Sequence, residues 1–349
     1  MFEQTEKTEI ANLGEFGLIH HLTQHINLKN QSTLKGVGDD AAVLDFKNKK
    51  TLISTDMLLE GIHFDLAFTP LKHLGYKAIQ VNLSDIYAMN GIASQVTVSF
   101  GFSSKFPLEA IEELYAGMLL ACEKFNVDLI GGDTTSSRQG LVISVTSIGY
   151  ADEKDITYRN GAEEGDLICV SGDLGGAYVG LQLLEREKQV FLTNPKIQPD
   201  LEGKDYIVER QLKPEARIDI VDLLAKMKIK PTSMIDISDG LASEILHITR
   251  QSKKGCKIYE EKIPLDPMTA DTAREFGLDP TVCALNGGED YELLFTIKQA
   301  DYDKMKHDVD ISIIGYITEE SAGNYLITKA GNIHEIKAQG WNAFTSTKS

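Results

Sequence analysis

The sequence predicts a two-domain α/β protein, because of its length, its alternation of strands with helices, and a single polar junction. The chain has 349 residues, which is more than one hydrophobic core usually accommodates. Predicted strands alternate with predicted helices in both halves, a pattern typical of α/β or α+β domains. The segment 151–165 is polar and rich in Asp, Glu and Gly. We therefore expect an N-terminal domain at 1–150 and a C-terminal domain at 151–349.

In the N-terminal half, hydrophobic periodicity predicts both element types. The predicted elements are a helix at 14–28, a β-hairpin of 41–46 and 51–55, a helix at 71–90, a strand at 94–102, a helix at 107–126, and strands at 127–130 and 141–150. The hairpin prediction rests on two short apolar runs that flank a polar turn around Asn48.

The C-terminal half continues the alternation after the junction. The predicted elements are a strand at 166–171, a helix at 176–187, a helix at 214–228, a strand at 234–237, a helix at 241–253, and strands at 257–263, 292–297 and 311–317. A polar excursion that contains proline fills about 188–212, and the sequence predicts no conformation for it.

Composition and charge exclude several classes of function. The chain is 42% hydrophobic and 25% charged, which is ordinary for a globular protein. The formal net charge of −17 argues against binding nucleic acid or an anionic membrane surface, since both depend on basic patches. No apolar run approaches the roughly 20 residues of a membrane span. An acidic protein can still bind an anionic substrate where metal ions reverse the local field.

The cysteines and the N-terminus indicate a reducing, cytoplasmic location. Cys122, Cys169, Cys256 and Cys283 are scattered without a C-x-x-C pair, which argues against a disulfide framework or a zinc site. The N-terminal residues are charged and lack the apolar segment of a secretory signal.

The feature that indicates chemistry is a series of aspartates in short motifs that contain no Lys or Arg. Each motif lies within an apolar run or at its end, where a carboxylate cannot simply face water. The motifs are Gly38-Asp39-Asp40, Ser54-Thr55-Asp56, Asn82-Leu83-Ser84-Asp85, Gly131-Gly132-Asp133 and Asp236-Ile237-Ser238-Asp239-Gly240. Mg²⁺ prefers carboxylate oxygens and usually shares its remaining positions with water and substrate phosphates. The motifs therefore indicate a metal-dependent enzyme that acts on phosphates.

Local structure offers another explanation for several of these motifs. The Gly38–Asp40 string fits an Asx-type turn, and Ser238 or Asp239 fits a helix N-cap that requires no function. Asp85 falls on an apolar face of its predicted helix, which is costly unless it serves an active site or the helix is interrupted there by a cap. Both explanations remain open for each motif taken alone.

The common nucleotide-binding motifs are missing from the sequence. There is no G-x-x-x-x-G-K-[ST] loop, no H-R-D or D-F-G kinase set and no dinucleotide G-x-G-x-x-G string. Any ATP chemistry therefore requires a different scaffold.

Taken in order, the motifs resemble the thiamine-monophosphate kinase family, in the superfamily that includes aminoimidazole ribonucleotide synthetase and selenophosphate synthetase. The resemblance spans nearly the whole chain, and its specificity lies in the common order of many short strings. The matching strings are Gly14-Glu15-Phe16, Gly38-Asp39-Asp40-Ala41-Ala42, Thr55-Asp56-Met57, Glu60-Gly61-Ile62-His63-Phe64, Asn82-Leu83-Ser84-Asp85-Ile86, Gly131-Gly132-Asp133-Thr134-Thr135, Arg159-Asn160-Gly161-Ala162, Asp236-Ile237-Ser238-Asp239-Gly240-Leu241, Gly287-Gly288-Glu289-Asp290-Tyr291-Glu292-Leu293-Leu294 and Gly340-Trp341.

The resemblance implies a fold and an activity. The fold would be a two-domain aminoimidazole ribonucleotide synthetase-like fold, with N-terminal sheets that pair across a homodimer and a C-terminal α/β domain that completes the active-site cleft. The activity would be ATP-dependent phosphorylation of thiamine monophosphate to thiamine diphosphate, with ATP as co-substrate and several Mg²⁺ ions. A general base is not expected, because the attacking phosphate oxygen is already anionic at neutral pH.

The resemblance also implies the roles of individual residues. The implied Mg²⁺ ligands are Asp40, Ser54, Thr55, Asp56, Asp85, Asp133, Asp236 and Asp239. The implied ATP contacts are Tyr115, Gly132, Asp133, Arg159 and Ser238. The implied contacts with thiamine monophosphate are His63, Glu289 and Trp341.

Two alternative functions remain at this point. One is a related ATP-dependent enzyme of the same superfamily with a different acceptor. The other is a non-catalytic module that binds Mg²⁺ and nucleotide. Release of ADP that depends on thiamine monophosphate would distinguish the kinase from both.

Overall fold

The computed structural model describes residues 21–35 and 43–339. Its contacts divide the chain into two compact units. The first unit comprises the chain up to Ile86 together with Gly91–Lys154, and the second comprises Tyr87–Asn90 together with the chain from Asp155 onward. Within the described ranges, no helix is both long enough and apolar enough to cross a membrane.

The first unit is built on a four-stranded sheet in the order β3–β6–β4–β5. Its strands are β3 (Lys50–Leu59), β4 (Ile92–Phe102), β5 (Asp128–Ser136) and β6 (Val142–Ala151). All neighbours are antiparallel except β4 and β5, which are parallel. The short strands β1 (Thr33–Lys35) and β2 (Val43–Leu44) form a separate antiparallel pair.

Two helices, α1 (Leu71–Ala88) and α2 (Leu108–Lys124), accompany this sheet. Every residue of α1 from Leu74 to Ser84 is buried, including the polar residues Lys77, Gln80, Asn82 and Ser84. The side chain of Asn82 on α1 accepts a hydrogen bond from the backbone of β3, at Asp56 (3.0 Å). The opposite face of β3 is open, because Ile53 and Met57 are 68% and 52% exposed.

Two glycines allow α1 and α2 to approach each other at backbone distance. A Cβ atom at Gly75 would lie 2.0 Å from the carbonyl oxygen of Leu114. A Cβ atom at Gly117 would lie 1.9 Å from the carbonyl oxygen of Lys72. Since real side chains do not approach backbone so closely, both positions require glycine.

The second unit is built on a seven-stranded sheet in the order β13–β12–β9–β11–β7–β10–β8. Its strands are β7 (Leu167–Ser171), β8 (Ser233–Asp236), β9 (Lys254–Tyr259), β10 (Leu293–Ile297), β11 (Ile311–Glu319), β12 (Asn324–Ile327) and β13 (Ile333–Glu335). All pairs are antiparallel except β9 and β12.

The helices of the second unit flank this sheet and complete its core. They are α3 (Gly176–Thr193), α4 (Asp205–Leu212), α5 (Ile218–Met227), α6 (Leu241–Ser252), α7 (Pro267–Glu275), α8 (Pro280–Asn286) and α9 (Tyr302–Met305). The largest core cluster joins α6 to the strands, with Ile245, Ile235 and Ile258 almost fully buried.

The structure confirms the predicted α/β class and corrects one prediction of strand pairing. The predicted hairpin is wrong, because β2 pairs with β1 whereas β3 pairs with β6 along its whole length. Ten consecutive residue pairs between β3 and β6 bury more backbone than a two-residue strand can. The polar segment 188–212, for which the sequence predicts no conformation, contains the end of α3 at Thr193 and the helix α4 at Asp205–Leu212.

The helices α7 and α8 were missed by hydrophobic periodicity, although each carries a clear start signal. Asp266 and Asp279 each precede a proline, and their carboxylates accept backbone N–H groups of the first helical turn. An Asp N-cap followed by Pro at the first helical position is a strong sequence signature of a helix start. Their short length explains why a periodic pattern is weak there.

We expect Gly117→Ala to lower the free energy of unfolding by about 2 kcal/mol or more, because the added methyl group meets the backbone of α1. The gain in helix propensity from alanine is smaller than this cost. Urea denaturation followed by circular dichroism measures the change. Ala116→Ser is the matched control, since it adds one atom at an exposed position of the same helix and should change the free energy by less than about 0.5 kcal/mol. Equal effects of the two substitutions would contradict the close approach.

Candidate functional site

Each unit carries its own group of predicted site residues. In the first unit, Ser54 and Asp56 lie two residues apart on β3 and therefore point to the same face of the sheet. Asp85 lies on α1, and its Oδ2 accepts a hydrogen bond from the hydroxyl of Ser54 (2.6 Å). The helix α1 continues past Asp85 to Ala88. The alternative that Asp85 caps an interrupted helix is therefore wrong.

The carboxyl groups of Asp56 and Asp85 are close enough to interact. Burial, and next the negative charge of Asp85, raise the pKa of Asp56 to about 6. Asp56 as a whole residue is exposed in the isolated chain. Of the causes of the raised pKa, the charge of Asp85 is the one that a single substitution can remove. Asn82 fixes this strand segment, since its Oδ1 accepts the backbone N–H of Asp56 and its Nδ2 donates to the carbonyl of Ala78.

This pair of carboxylates fits a hard divalent cation. Two neighbouring carboxylates repel each other. A cation that prefers carboxylate oxygens reduces this repulsion when it binds between or beside them. In the described ranges, however, no group of three or more His, Cys, Asp or Glu side chains is arranged to hold a metal ion. Asp40 lies outside the described residues. The remaining ligand positions of a cation would then belong to water or to phosphate oxygens.

The structure does not bring Thr55 and Asp133 to this pair. The Thr55 hydroxyl lies on the open face of the sheet, where it donates to the carbonyl of Val145 (3.0 Å). Asp133 is exposed on β5, which β6 and β4 separate from β3, and its Oδ1 accepts the backbone N–H of Thr134. Their role as metal ligands stays a prediction.

Gly132 and Tyr115, the residues of the first unit that are predicted to contact the nucleotide, are both closely packed. A Cβ atom at Gly132 would lie 1.8 Å from the carbonyl oxygen of Val98, so this position on β5 excludes a side chain. The ring of Tyr115 is 8% exposed and makes an edge contact with Phe100, with ring centroids 5.7 Å apart. Burial raises the pKa of Tyr115 to about 12, which keeps its hydroxyl neutral.

His63 lies in a tight turn that fixes its tautomer. Its Nδ1 accepts the backbone N–H of Leu59 (3.1 Å), and Gly61 adopts the positive φ of +81° that the turn requires. A nitrogen that accepts a hydrogen bond carries no proton, so the neutral imidazole is protonated at Nε2. His63 can therefore donate a hydrogen bond from Nε2 to an acceptor.

In the second unit, Asp236 ends β8 and Asp239 lies in the turn that leads to α6. Gly240, with a φ of +109°, is the N-cap residue before this helix, and no side chain caps the helix. The alternative that Ser238 or Asp239 is the N-cap is therefore wrong. The carboxyl group of Glu244 instead holds the turn that precedes the helix, because its Oε1 accepts the backbone N–H of Asp239 (3.0 Å).

The residues around this turn influence one another electrostatically. Burial raises the pKa of Glu244 to about 8; the hydrogen bond from the backbone of Asp239 opposes this, and the charges of Asp239 and Asp236 add to it. Burial also raises the pKa of Asp239, and the charge of Glu289 adds to that effect. Burial, and next the charge of Arg159, lower the pKa of His247 on α6. Arg159 and Glu289 are therefore close enough to this part of the unit to act on it.

The loop Gly287–Glu292 lies directly beside the same turn. The backbone N–H of Glu289 donates to the carbonyl of Ser238 (2.7 Å), and that of Tyr291 donates to Ile237 (2.9 Å). Glu289 and Tyr291 have positive φ values of 59° and 52°, which costs energy in residues other than glycine and is typical of functional sites. A Cβ atom at Gly288 would lie 2.5 Å from the carbonyl oxygen of Ser238, so close approach requires glycine there.

Two buried carboxylates within this strained loop bind it to the start of α3 and to two arginines. Asp290 accepts the backbone N–H of Gly175 (2.8 Å), at the start of α3. Glu292 is 2% exposed and pairs with Arg210 (2.9 Å) and Arg217. Buried charges of this kind are tolerated only when they are paired and hydrogen-bonded.

The roles of Glu244, Asp290 and Glu292 emerge only from the structure. Asp290 and Glu292 stand inside a matching string, in which alternate acidic residues ahead of an apolar strand were a signal of buried carboxylates. Glu244 stands early in a predicted helix, where an acidic side chain can reach free backbone N–H groups. Trp341 lies outside the described residues.

Comparisons with known proteins agree on one family. The model of AIR synthase related protein, N-terminal domain, matches residues 38–151, and that of the C-terminal domain matches residues 163–327. The chain is 32% identical to thiamine-monophosphate kinase of Bacillus subtilis, covering 95% of this chain and 100% of that protein. It is 33% identical to the thiamine-monophosphate kinase of Aquifex aeolicus, covering 96% and 99%.

Solved structures give the same result. The structure of AaThiL complexed with AMPPCP and TMP matches with a TM-score of 0.74 and 32% identity, covering 97% of this chain and 100% of that one. The thiamine-monophosphate kinase of Stenotrophomonas maltophilia matches with a TM-score of 0.75 and 28% identity, covering 91% and 95%. The hydrogenase maturation protein HypE in complex with ATP, at 19% identity and a TM-score of 0.72, shares the fold.

We expect Asp85→Asn to lower the pKa of Asp56 from about 6 toward its ordinary value of 3.8, because the substitution removes a neighbouring negative charge. Carboxyl ¹³C chemical shifts recorded against pH in metal-free protein measure this pKa. Asp152→Asn is the matched control, since Asp152 is an exposed aspartate of the same unit and should leave the pKa of Asp56 unchanged. An unchanged pKa of Asp56 in Asp85→Asn would show that the two carboxyl groups are not coupled.

Proposed function

This chain belongs to the thiamine-monophosphate kinase family of AIR synthase related proteins, and we propose on that premise that it phosphorylates thiamine monophosphate. ATP would supply the γ-phosphoryl group, and the products would be thiamine diphosphate and ADP. The observation that carries the proposal is the carboxylate pair of Asp56 and Asp85, which β3 and α1 hold together within strings that match the family. Such a pair suits a reaction between two polyanions that a cation must bring together.

The proposed metal ligands are those that the family resemblance assigns. They are Asp40, Ser54, Thr55, Asp56, Asp85, Asp133, Asp236 and Asp239. Bound Mg²⁺ would supply positive charge against the repulsion between the two phosphate groups. Ser54 orients Asp85 through its hydroxyl, and Asn82 holds the strand at Asp56.

The remaining side chains would bind and orient the substrates. Arg159 would place a fixed positive charge against the triphosphate, with Tyr115, Gly132, Asp133 and Ser238 as further contacts to ATP. His63 would donate from Nε2 to thiamine monophosphate. Glu289 would accept from that substrate, and Trp341 would stack on its aromatic ring.

Transfer would be direct and in line, without a phosphoenzyme. The nucleophile is a phosphate oxygen that is already anionic at neutral pH, so a general base is unnecessary. Catalysis would therefore consist of positioning and electrostatic stabilisation. The strained but firmly hydrogen-bonded loop at Glu289 suits this requirement, because it holds its side chain in a defined place before substrate arrives.

A second copy of this chain is the proposed partner. The open face of the first unit's sheet presents apolar side chains to solvent, with Ile53, Met57 and Ile92 between 48% and 68% exposed. Apolar side chains gathered on one sheet face are typical of a surface that is covered in the assembled protein. This supports the homodimer that the family resemblance implies.

We expect the protein to release ADP from ATP in the presence of Mg²⁺ only when thiamine monophosphate is added, with thiamine diphosphate as the product. A coupled ADP-release assay and chromatography of the products test this. Turnover of ATP without that dependence would assign a different acceptor. Binding of ATP without turnover of any acceptor would favour a non-catalytic module.

In the same assay, Asp85→Asn should lower kcat by at least about 100-fold, because one of the paired carboxylates is lost. Asp152→Asn should retain the activity of the unchanged protein. A retained kcat in Asp85→Asn would remove this residue from the site.

We expect the protein to sediment as a dimer, with twice the chain mass of 38.5 kDa. Ile53→Glu should shift it to the monomer, because a charge cannot be buried unpaired at an apolar interface. Sedimentation velocity at micromolar concentration measures the mass. Ile333→Glu is the matched control, since Ile333 is 64% exposed on β13 of the second unit. A monomer in the unchanged protein would refute the proposed homodimer.

A further inference from the structure

We propose that Glu244 is a positioning residue, which fixes the turn that carries Ser238 and Asp239 and, through that turn, the backbone at Glu289. This inference rests on the proposed function, because these three residues are proposed site residues. Glu244 is not among the proposed metal or substrate contacts. Its side chain on α6 instead bonds to the turn that carries Ser238 and Asp239.

The side chain of Glu244 reaches back from the first turn of α6 to the turn before it. Glu244 is 2% exposed. Its Oε1 accepts the backbone N–H of Asp239 at 3.0 Å, and the hydroxyl of Ser238 lies at 3.5 Å from the same oxygen. The helix begins at Leu241 after Gly240, which has no side chain to cap it. Glu244 therefore holds the backbone of the turn that leads into its own helix.

The turn transmits this constraint to the neighbouring loop. The carbonyl of Ser238 accepts the N–H of Glu289, and the carbonyl of Ile237 accepts the N–H of Tyr291. Both donors have positive φ values, so the loop depends on these two hydrogen bonds to keep its conformation. A shift of the turn at Ser238 would therefore move the backbone at Glu289 as well.

The cost of this arrangement argues for a role beyond stability. In the part of the chain that the structure describes, Oε2 of Glu244 is buried without a hydrogen-bond partner. A buried carboxyl oxygen without a partner is unfavourable, and the charges of Asp236 and Asp239 lie nearby. A residue that served stability alone would be expected to satisfy both oxygens, as Glu292 does through two arginines and Ser171.

The test compares Glu244→Ala, which removes the acceptor, with Glu244→Gln, which keeps an oxygen for the N–H of Asp239. Isothermal titration with Mg²⁺ and AMPPCP measures binding without turnover, and steady-state kinetics measure the KM for thiamine monophosphate. We expect Glu244→Ala to weaken Mg²⁺–AMPPCP binding by about tenfold or more and to raise that KM by a similar factor, as is typical when a supporting hydrogen bond is lost. The melting temperature should change by only a few degrees.

Glu244→Gln should stay within about threefold of the unchanged protein in both measurements. Glu185→Ala is the matched control, since Glu185 lies on a helix of the same unit with its side chain 42% exposed, and it should change neither. Unaltered binding and KM in Glu244→Ala would overturn the proposal. Equal losses in Glu244→Ala and Glu244→Gln would also overturn it, because they would show that an oxygen able to accept the N–H of Asp239 is not sufficient to position the turn.

Failure of the proposed function can be told apart from failure of this inference. If the unchanged protein shows no release of ADP that depends on thiamine monophosphate, the kinase assignment fails. The titration with Mg²⁺ and AMPPCP still decides the role of Glu244 in that case, since it needs no acceptor.

Discussion

The placement of carboxylates against apolar cores is the constraint on which both units of this structure depend. A buried or half-buried carboxylate must be offset by hydrogen bonds, a cation or a proton. Glu292 is offset by two arginines, Asp290 by backbone N–H groups at the start of α3, and Asp85 by the hydroxyl of Ser54. Asp56 instead faces another carboxylate and holds its proton more tightly. That difference separates Glu292 and Asp290, which support the fold, from the pair of Asp56 and Asp85, which suits a cation.

Backbone geometry is the second constraint, and glycines satisfy it at the points of closest approach. Gly75 and Gly117 bring α1 against α2, and the position of α1 in turn sets Asp85 against β3. Gly288 performs the same task in the second unit, where the loop at Glu289 passes the carbonyl of Ser238. In both units a proposed site residue is therefore placed by backbone packing some distance from its own side chain.

Much of the fold could be predicted from sequence, and the failures have identifiable causes. The long helix α1 and the strands β4 and β6 have strong periodic patterns, and each was predicted within a few residues. The hairpin prediction failed because local turn chemistry favoured pairing β2 with β3, whereas β3 finds a ten-residue partner in β6 far along the chain. Such a pairing between distant segments leaves no signal in a short window of sequence.

For the candidate site, the residue types and their order determined the family and the residues to be considered. The sequence by itself showed that Asp85 stands on an apolar face, because helical periodicity is a local property. Only the tertiary structure decided what each carboxylate meets: Asp85 meets Ser54 from β3, and Glu244 meets the turn at Asp239. The reason is that a contact across 31 residues, as between Ser54 and Asp85, depends on how a helix packs on a sheet. That packing is fixed by the whole core and by no single motif.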